Sequence, residues 1–275
     1  MPTDPAESTR QPRSKYGFLV RPKWIAFHLL VVVLVVVMIN LAFWQLRRLD
    51  QRRHFNAAVR ANTEQPVVTF DVVRSALANP STIEWRRVQV SGTYVPGHEF
   101  QVVNRSQNGD TGRNVVDALK THDGSLLLIN RGFVPISQGL PPLPTGTVSV
   151  VGRLRVSEHR TTGQPEDQSV KGLSEIHRVD IAVLARQFDG TVLPMYVEQL
   201  ESTPTDATTL QPITAPDTSD EGPHLSYTIQ WFIFSACALV GWVLAVRRSL
   251  AARSGKPAKR RKSAYIPMVD EESPK

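Results

Sequence analysis

A histidine and a tyrosine three residues apart, His224 and Tyr227, stand with Gln230 and Trp231 at the start of a long apolar run. If that run is helical from its first residues, His224 and Tyr227 share one face. Far upstream, Trp44, Gln45, Arg47 and Arg48 close another apolar run. With the two runs as antiparallel helices, both sets meet at one end of the pair. An imidazole coordinates a metal, aromatic rings pack on a large planar ring, and guanidiniums pair with carboxylates. These are the parts of a haem site, with His224 as axial ligand to the iron and Arg47 and Arg48 for the propionates. The same residues also suit an ordinary interfacial belt with snorkelling arginines. The residues alone leave both readings open.

The elements that must position them are the two apolar blocks. Trp24 to Trp44 spans 21 residues, and Tyr227 to Val246 spans 20, without an Asp, Glu, Lys or Arg. At about 1.5 Å per residue, either block crosses a hydrocarbon core about 30 Å thick, which excludes a purely soluble protein. The first block is longer than a signal-peptide core and is followed by no small-x-small cleavage site, which predicts an uncleaved anchor. His28 and Asn40, inside it, are expected to hydrogen-bond between helices. Trp24 and Trp242 are expected in the interfacial aromatic belt.

The net charge of +7 belongs to the ends of the chain, because the middle carries 18 basic against 20 acidic residues. Basic tails beside membrane spans point to retention on the cytoplasmic side next to anionic lipid, and away from nucleic acid. Arg47, Arg48, Arg52 and Arg53 pull the other way, but the tails outnumber them. The expected organisation is a cytoplasmic tail over residues 1–23 and a first span over 24–46. An extracytoplasmic domain over 47–225, a second span over 226–247 and a basic cytoplasmic tail over 248–275 complete it. The protein is then multi-pass in the plasma membrane, with the bilayer as its first partner. The first 20 residues and the tail from 254 are expected to be disordered. The one cysteine, Cys237, lies in the second block and permits no intramolecular disulfide and no Cys-built metal centre.

Within the middle segment, Leu46 to Ala61 keeps helical spacing and Thr69 to Ala78 reads as a short helix with Thr69 as N-cap. Short β-branched runs follow at Arg87 to Val95, Glu99 to Arg105, Val115 to Thr121, Ser125 to Asn130 and Thr147 to Val156. Turn chemistry separates them at Pro96-Gly97, Asn108-Gly109, Asp123-Gly124 and Pro141-Pro142. Asp180 to Phe188 reads as a helix, Val192 to Val197 as a last strand, and the Thr/Pro-rich Glu201 to Pro223 as a tether. The expected fold class is an α+β membrane protein: two transmembrane helices flanking an extracytoplasmic, antiparallel, β-rich and barrel-like domain with short helices.

Catalytic signatures are missing from the sequence. It has no Walker A, Rossmann fingerprint, His-Glu-x-x-His or Gly-x-Ser-x-Gly. His54, His98, His122, His159 and His177 are not at metal-ligand spacing and read as surface or turn residues. The expectation is that the protein is not an enzyme.

Five segments carry a resemblance. They are Phe43-Trp44-Gln45-Leu46-Arg47, Arg86 to Tyr94, Leu128 to Pro135 (with Asn130-Arg131-Gly132), Val151 to Arg155 and His224 to Phe232. In this order the chain resembles the surfeit locus protein 1 family of cytochrome c oxidase assembly factors, over about residues 24 to 250. It departs from the family at Phe43, often Gly, and at Phe133, often Trp. The resemblance implies a divergent bacterial member that assists a haem-copper oxidase, with haem a as cofactor and the family histidine at His224. On that reading Arg47 and Arg48 meet the propionates, while Trp44 and Trp231 pack on the macrocycle beside Tyr227. The outer domain then docks on cytochrome c oxidase subunits, alone or within a respiratory supercomplex. The rival expectation is an accessory protein of the oxidase that touches no haem. The Asn130-Arg131-Gly132 turn has a simpler reading too, a strand end at which Gly132 supplies unusual backbone angles.

Overall fold

Helix α1 runs unbroken from Pro22 to Thr63. Proline at its first position costs no hydrogen bond, and no glycine or further proline interrupts it before Pro66. The expected span and the expected juxtamembrane helix are therefore one element. The other long helix is α4, His224–Arg253. By length and composition both are candidate membrane spans. The computed structural model describes residues 16–167 and 172–253. It divides into two units, Met1–Gln51 with Glu221–Lys275 and Arg52–Asp220.

In the helical unit, side-chain polar groups return to their own backbone. Asn40 Nδ2 donates to Val36 O (2.8 Å), Thr228 Oγ1 to His224 O (2.9 Å) and Ser235 Oγ to Trp231 O (2.9 Å). Asn40 thus does not bond between helices as expected, because a carbonyl one turn back on its own helix lies within reach. His28 does bond across, to Trp242. Residues 16–20 form a turn in which Phe18 is buried, with its ring edge-on to Trp24 at 5.0 Å and Arg253 over it at 4.3 Å. Order in residues 16–20 corrects the expectation for that stretch; the rest of both disordered-tail expectations lies outside the described residues.

The second unit holds strands β1 (Val68–Thr69), β2 (Arg87–Tyr94), β3 (Phe100–Gln107) and β4 (Asp110–Thr121). They are followed by β5 (Leu126–Pro135), β6 (Thr147–Val156), β7 (Glu175–Ile176) and β8 (Val192–Thr203). These make one sheet in the order β1-β2-β6-β8-β5-β4-β3-β7, and β2 also pairs with β4 through Gly92–Tyr94 against Thr121–Leu119. The sheet is mixed where an antiparallel one was expected. Strands β5 and β8 run parallel, as do β1 with β2 and β3 with β7. A crossover through α3 (Ile181–Leu184), capped by Asp180 Oδ1 on Ala182 N, brings β8 in beside β5 in the same sense.

Strand β5 is buried along its whole length. Its alternate side chains feed opposite faces. Leu127 and Ile129 join Val88, Val90, Leu154 and Val197 under Phe70 and Val73, which belong to α2 (Phe70–Val73). Leu128 points the other way, with Phe100, Val116, Ile181 and Tyr196. A 3-10 turn, Arg74–Ala78, continues α2, and Thr69 makes no side-chain cap bond.

The segment after β8 is a strap, in place of the loose tether that its composition suggests. Gln211 and Phe133 exchange both backbone hydrogen bonds (2.8 and 2.9 Å). Gly132 has φ +142, and a Cβ there would stand 2.6 Å from Gln211 O, so the expected need for glycine holds. Farther on, Arg52, Asn56 and Arg60 of α1 donate to carbonyl oxygens of Asp217, Asp220 and Thr218.

Candidate functional site

Helices α1 and α4 run antiparallel, joined by a polar clasp near each end. At one end Trp242 Nε1 donates to His28 Nδ1 at 2.8 Å. At the other, His224 Nδ1 lies 2.9 Å from Gln45 Oε1. Between the clasps Phe43 meets Phe232 edge to face at 6.0 Å. The chain between clasps, residues 29–44 on α1 and 225–241 on α4, is about 25 Å long on either helix, close to the hydrocarbon thickness of about 30 Å.

Helix α4 does begin at His224, whose preceding residue Pro223 accepts from Tyr227 N at 3.1 Å. His224 is half-buried. Gln45 belongs to the buried stripe of α1, flanked one turn away by Ala42 and Leu49. A residue missing a side chain shapes the rest of the site. Gly222 has φ +73, and a Cβ there would stand 3.3 Å from both Cδ2 and Nε2 of His224. The glycine lets the backbone pass close to that edge of the ring, where a side chain would press on Nε2.

Among the six residues singled out from sequence, His224 and Trp231 are half-buried, while Trp44, Arg47, Arg48 and Tyr227 are exposed. The structure joins His224 to Gln45. Arg48 Nη1 instead donates to Gln51 Oε1 (3.1 Å), and the Trp231 ring packs edge-on to Phe234 at 5.9 Å. Trp44 and Arg47 stand about 100° and 160° around α1 from Gln45 at 100° per residue. Gly222 was missed from sequence, although a glycine two residues before a histidine at a helix start was the available signal. Gln45 was noticed beside the arginines but given no role.

The second unit has its own polar centre, at Arg131. Its guanidinium is 2% exposed and forks onto Asp206 (2.7 and 2.9 Å). It also donates to Asp117 Oδ2 (3.0 Å) and to Pro142 O (2.9 Å). Burial pushes the Asp117 carboxyl up to about 6, against partial relief from Arg131. Burial acts on Asp206 too, but bonds from Arg131, Ala207 and Gln199 outweigh it and hold that carboxyl below its ordinary value. Arg131, read from sequence as part of a strand-end turn, thus pins the sheet, the strap and the loop after β5 together. Glu198 sits between Arg153 (3.1 Å) and Arg155 (2.9 Å), and burial raises its carboxyl pKa despite both. Arg155 also lies 3.7 Å over the ring of Trp85, a strong cation–π position. These bonds tie β4, the loop after β5 and the strap to one guanidinium, so this centre reads as structural. Among the described residues no group of three His, Cys, Asp or Glu side chains converges on a metal position.

The SURF1 family model matches residues 32–236. An uncharacterised SURF1-like protein of Mycobacterium bovis is 28% identical, with 82% of this chain and 84% of that protein covered. A SURF1-like protein of Monosiga brevicollis is 29% identical over 80% of this chain and 87% of its own length. Surfeit locus protein 1 of Takifugu rubripes is 24% identical over 74% of this chain and 90% of that protein. The matched stretch takes in Gln45 and His224, the strap and the whole sheet, but neither His28 nor Trp242, and the chain belongs to the SURF1 family, known generally as cytochrome oxidase assembly factors.

Proposed function

We propose that this chain is an integral membrane assembly factor of haem-copper cytochrome c oxidase, and not an enzyme, that holds haem a where His224 meets Gln45. The observation that carries the haem reading is the His224 ring. Its Nδ1 is engaged by Gln45, and its Nε2 lies toward Gly222, which puts no side chain against it. Bound there, the haem would supply an iron centre that takes an unprotonated imidazole nitrogen, and His224 would hold it. Trp231 offers a half-buried indole one face along α4, and Arg47 and Arg48 offer exposed guanidiniums to propionates near the end of the span. Trp44 and Tyr227 supply further aromatic surface.

The two clasps support a membrane-crossing pair, since neutral hydrogen-bonded groups bracket the apolar stretch on both helices. The basic tails support both termini in the cytoplasm, with the sheet outside the plasma membrane. The return of β2 onto β4 supports a barrel-like curl of the sheet. That domain docks on oxidase subunits, alone or in a respiratory supercomplex.

A reduced-minus-oxidised spectrum of membranes from a strain lacking the protein tests the assembly role. Selective loss of the haem a band, with b and c bands retained, is expected. An unchanged band overturns an essential role and leaves an accessory subunit. Purified His224→Ala protein tests the ligand, and full haem occupancy in it removes the assignment.

A further inference from the structure

The two histidines of the helix pair are both held through Nδ1, by partners of opposite character. Indole nitrogen has only a hydrogen to give, so Trp242 obliges His28 Nδ1 to accept. The neutral His28 ring then carries its proton on Nε2. At the other clasp the partner is a carboxamide oxygen, Gln45 Oε1, which only accepts. His224 Nδ1 therefore donates, and Nε2 keeps a bare lone pair. A metal takes the unprotonated nitrogen.

We infer that Gln45 is a positioning residue that sets the His224 tautomer and turns Nε2 out as a ligand, while Trp242 sets His28 the other way and closes it to metal. The ligand half rests on the haem reading above; the tautomer half does not. The surroundings favour such a role. Gln45 stands on the buried stripe of α1 with Ala42 (0% exposed) and Leu49 (4%) on either side, which limits where its amide can turn. A hydrogen bond from the far ring nitrogen to a carbonyl both orients an imidazole and raises its basicity toward a metal. Gly222 puts no side chain against the Nε2 edge.

The test begins without haem. Nitrogen-15 NMR of the full chain in nanodiscs, with labelled histidine, reads both tautomers in one sample. The expected result is a protonated Nδ1 with bare Nε2 at His224, and the reverse at His28. In Gln45→Leu the His224 signals shift toward the Nε2–H form while those of His28 stay, which reports an intact helix pair. Gln45→Glu restores the Nδ1–H form. A protonated Nε2 at His224 in the unmodified protein, as a carboxamide turned end for end would give, overturns the inference. So does a His224 tautomer that ignores Gln45→Leu.

Haemin titration then tests the ligand half. Gln45→Leu is expected to weaken haemin binding about 10- to 100-fold. Gln45→Glu is expected to recover it with a lower midpoint potential for the bound iron. If His224→Ala binds haemin as well as the unmodified protein, the haem reading fails while the tautomer result stands. If His224→Ala loses haemin but Gln45→Leu keeps its affinity and potential, the positioning role fails alone.

Discussion

The polar groups that cross-link the sheet from within are mainly charged; those that join the two long helices are neutral. In the sheet, Arg131 is shared by Asp117 and Asp206, and Glu198 by Arg153 and Arg155, all largely buried. Between α1 and α4 the groups are imidazole, carboxamide and indole. A buried charge is tolerated when charge-assisted bonds surround it, as a folded domain can arrange from several strands at once. Two packed apolar helices offer too few partners for that, so neutral groups satisfy one another in pairs. The contrast teaches that ion pairs fix the sheet unit, whereas the helix unit is joined by neutral hydrogen-bonded pairs.

The hardest break falls on the charged side. Arg131→Ala leaves Asp117 buried without its counter-charge and is expected to cost about 3–5 kcal/mol in chemical unfolding of the full chain. Arg131→Lys recovers only part, because an ammonium cannot fork between Asp206, Asp117 and Pro142 O. Next comes pH. Asp117 binds its proton more tightly folded, at about 6, than at the ordinary 3.8. Stability from this group is therefore full below the ordinary value and falls as pH rises toward 6, by about 3 kcal/mol at 1.36 kcal/mol per unit. Asp206, held low, works in the opposite direction and loses its contribution only as pH drops through the acid range. Unfolding midpoints from pH 4 to pH 7 read the fall, and Asp117→Asn should flatten it, leaving the part that comes from Glu198, whose carboxyl burial also raises.

On the neutral side the effects shrink. Gly222→Ala puts a Cβ against His224 Nε2 in a left-handed conformation, and about tenfold weaker haemin binding is expected, or about 1.4 kcal/mol. Unchanged haemin affinity would show that nothing docks at that edge. Trp242→Phe removes the donor to His28 and should destabilise the pair by only about 0.6 kcal/mol, the average for interhelical bonds in a membrane. Haemin binding should not move. A larger loss at the His28–Trp242 clasp than at Arg131 would reverse the comparison.

Much of the sheet was legible. Asn108-Gly109 and Asp123-Gly124 do turn hairpins, with positive φ at both glycines, and Asp123 accepts from Thr121 and Ser125 around its turn. Strand ends were misjudged where buried polar residues broke the apolar pattern. β5 continues through Arg131 to Pro135, and β8 continues through Glu198 and Gln199 to Thr203, because each of those polar side chains has a bonded partner elsewhere in the chain. No local pattern announces a partner so distant. The same limit hid Gln45. α1 is apolar on all sides between its ends, so sequence spacing gave no rotational phase to separate Gln45 from Trp44 and the arginines. His224 and Tyr227 share a face as expected, yet their depths differ because only His224 has a partner on α1.

The strap also bears on biosynthesis. The half of β5 from Arg131 to Pro135 extends beyond its pairing with β8, and Gln211 covers Phe133 there. Until the ribosome has delivered that far segment, a strand carrying Phe133 and Val134 has an open edge, the usual template for wrong pairing between chains. The segment that covers it also leads directly into the second apolar helix. Emergence of that helix and closure of the edge are therefore neighbouring events in synthesis, and a chain truncated before Gln211 should aggregate even though all eight strands are present.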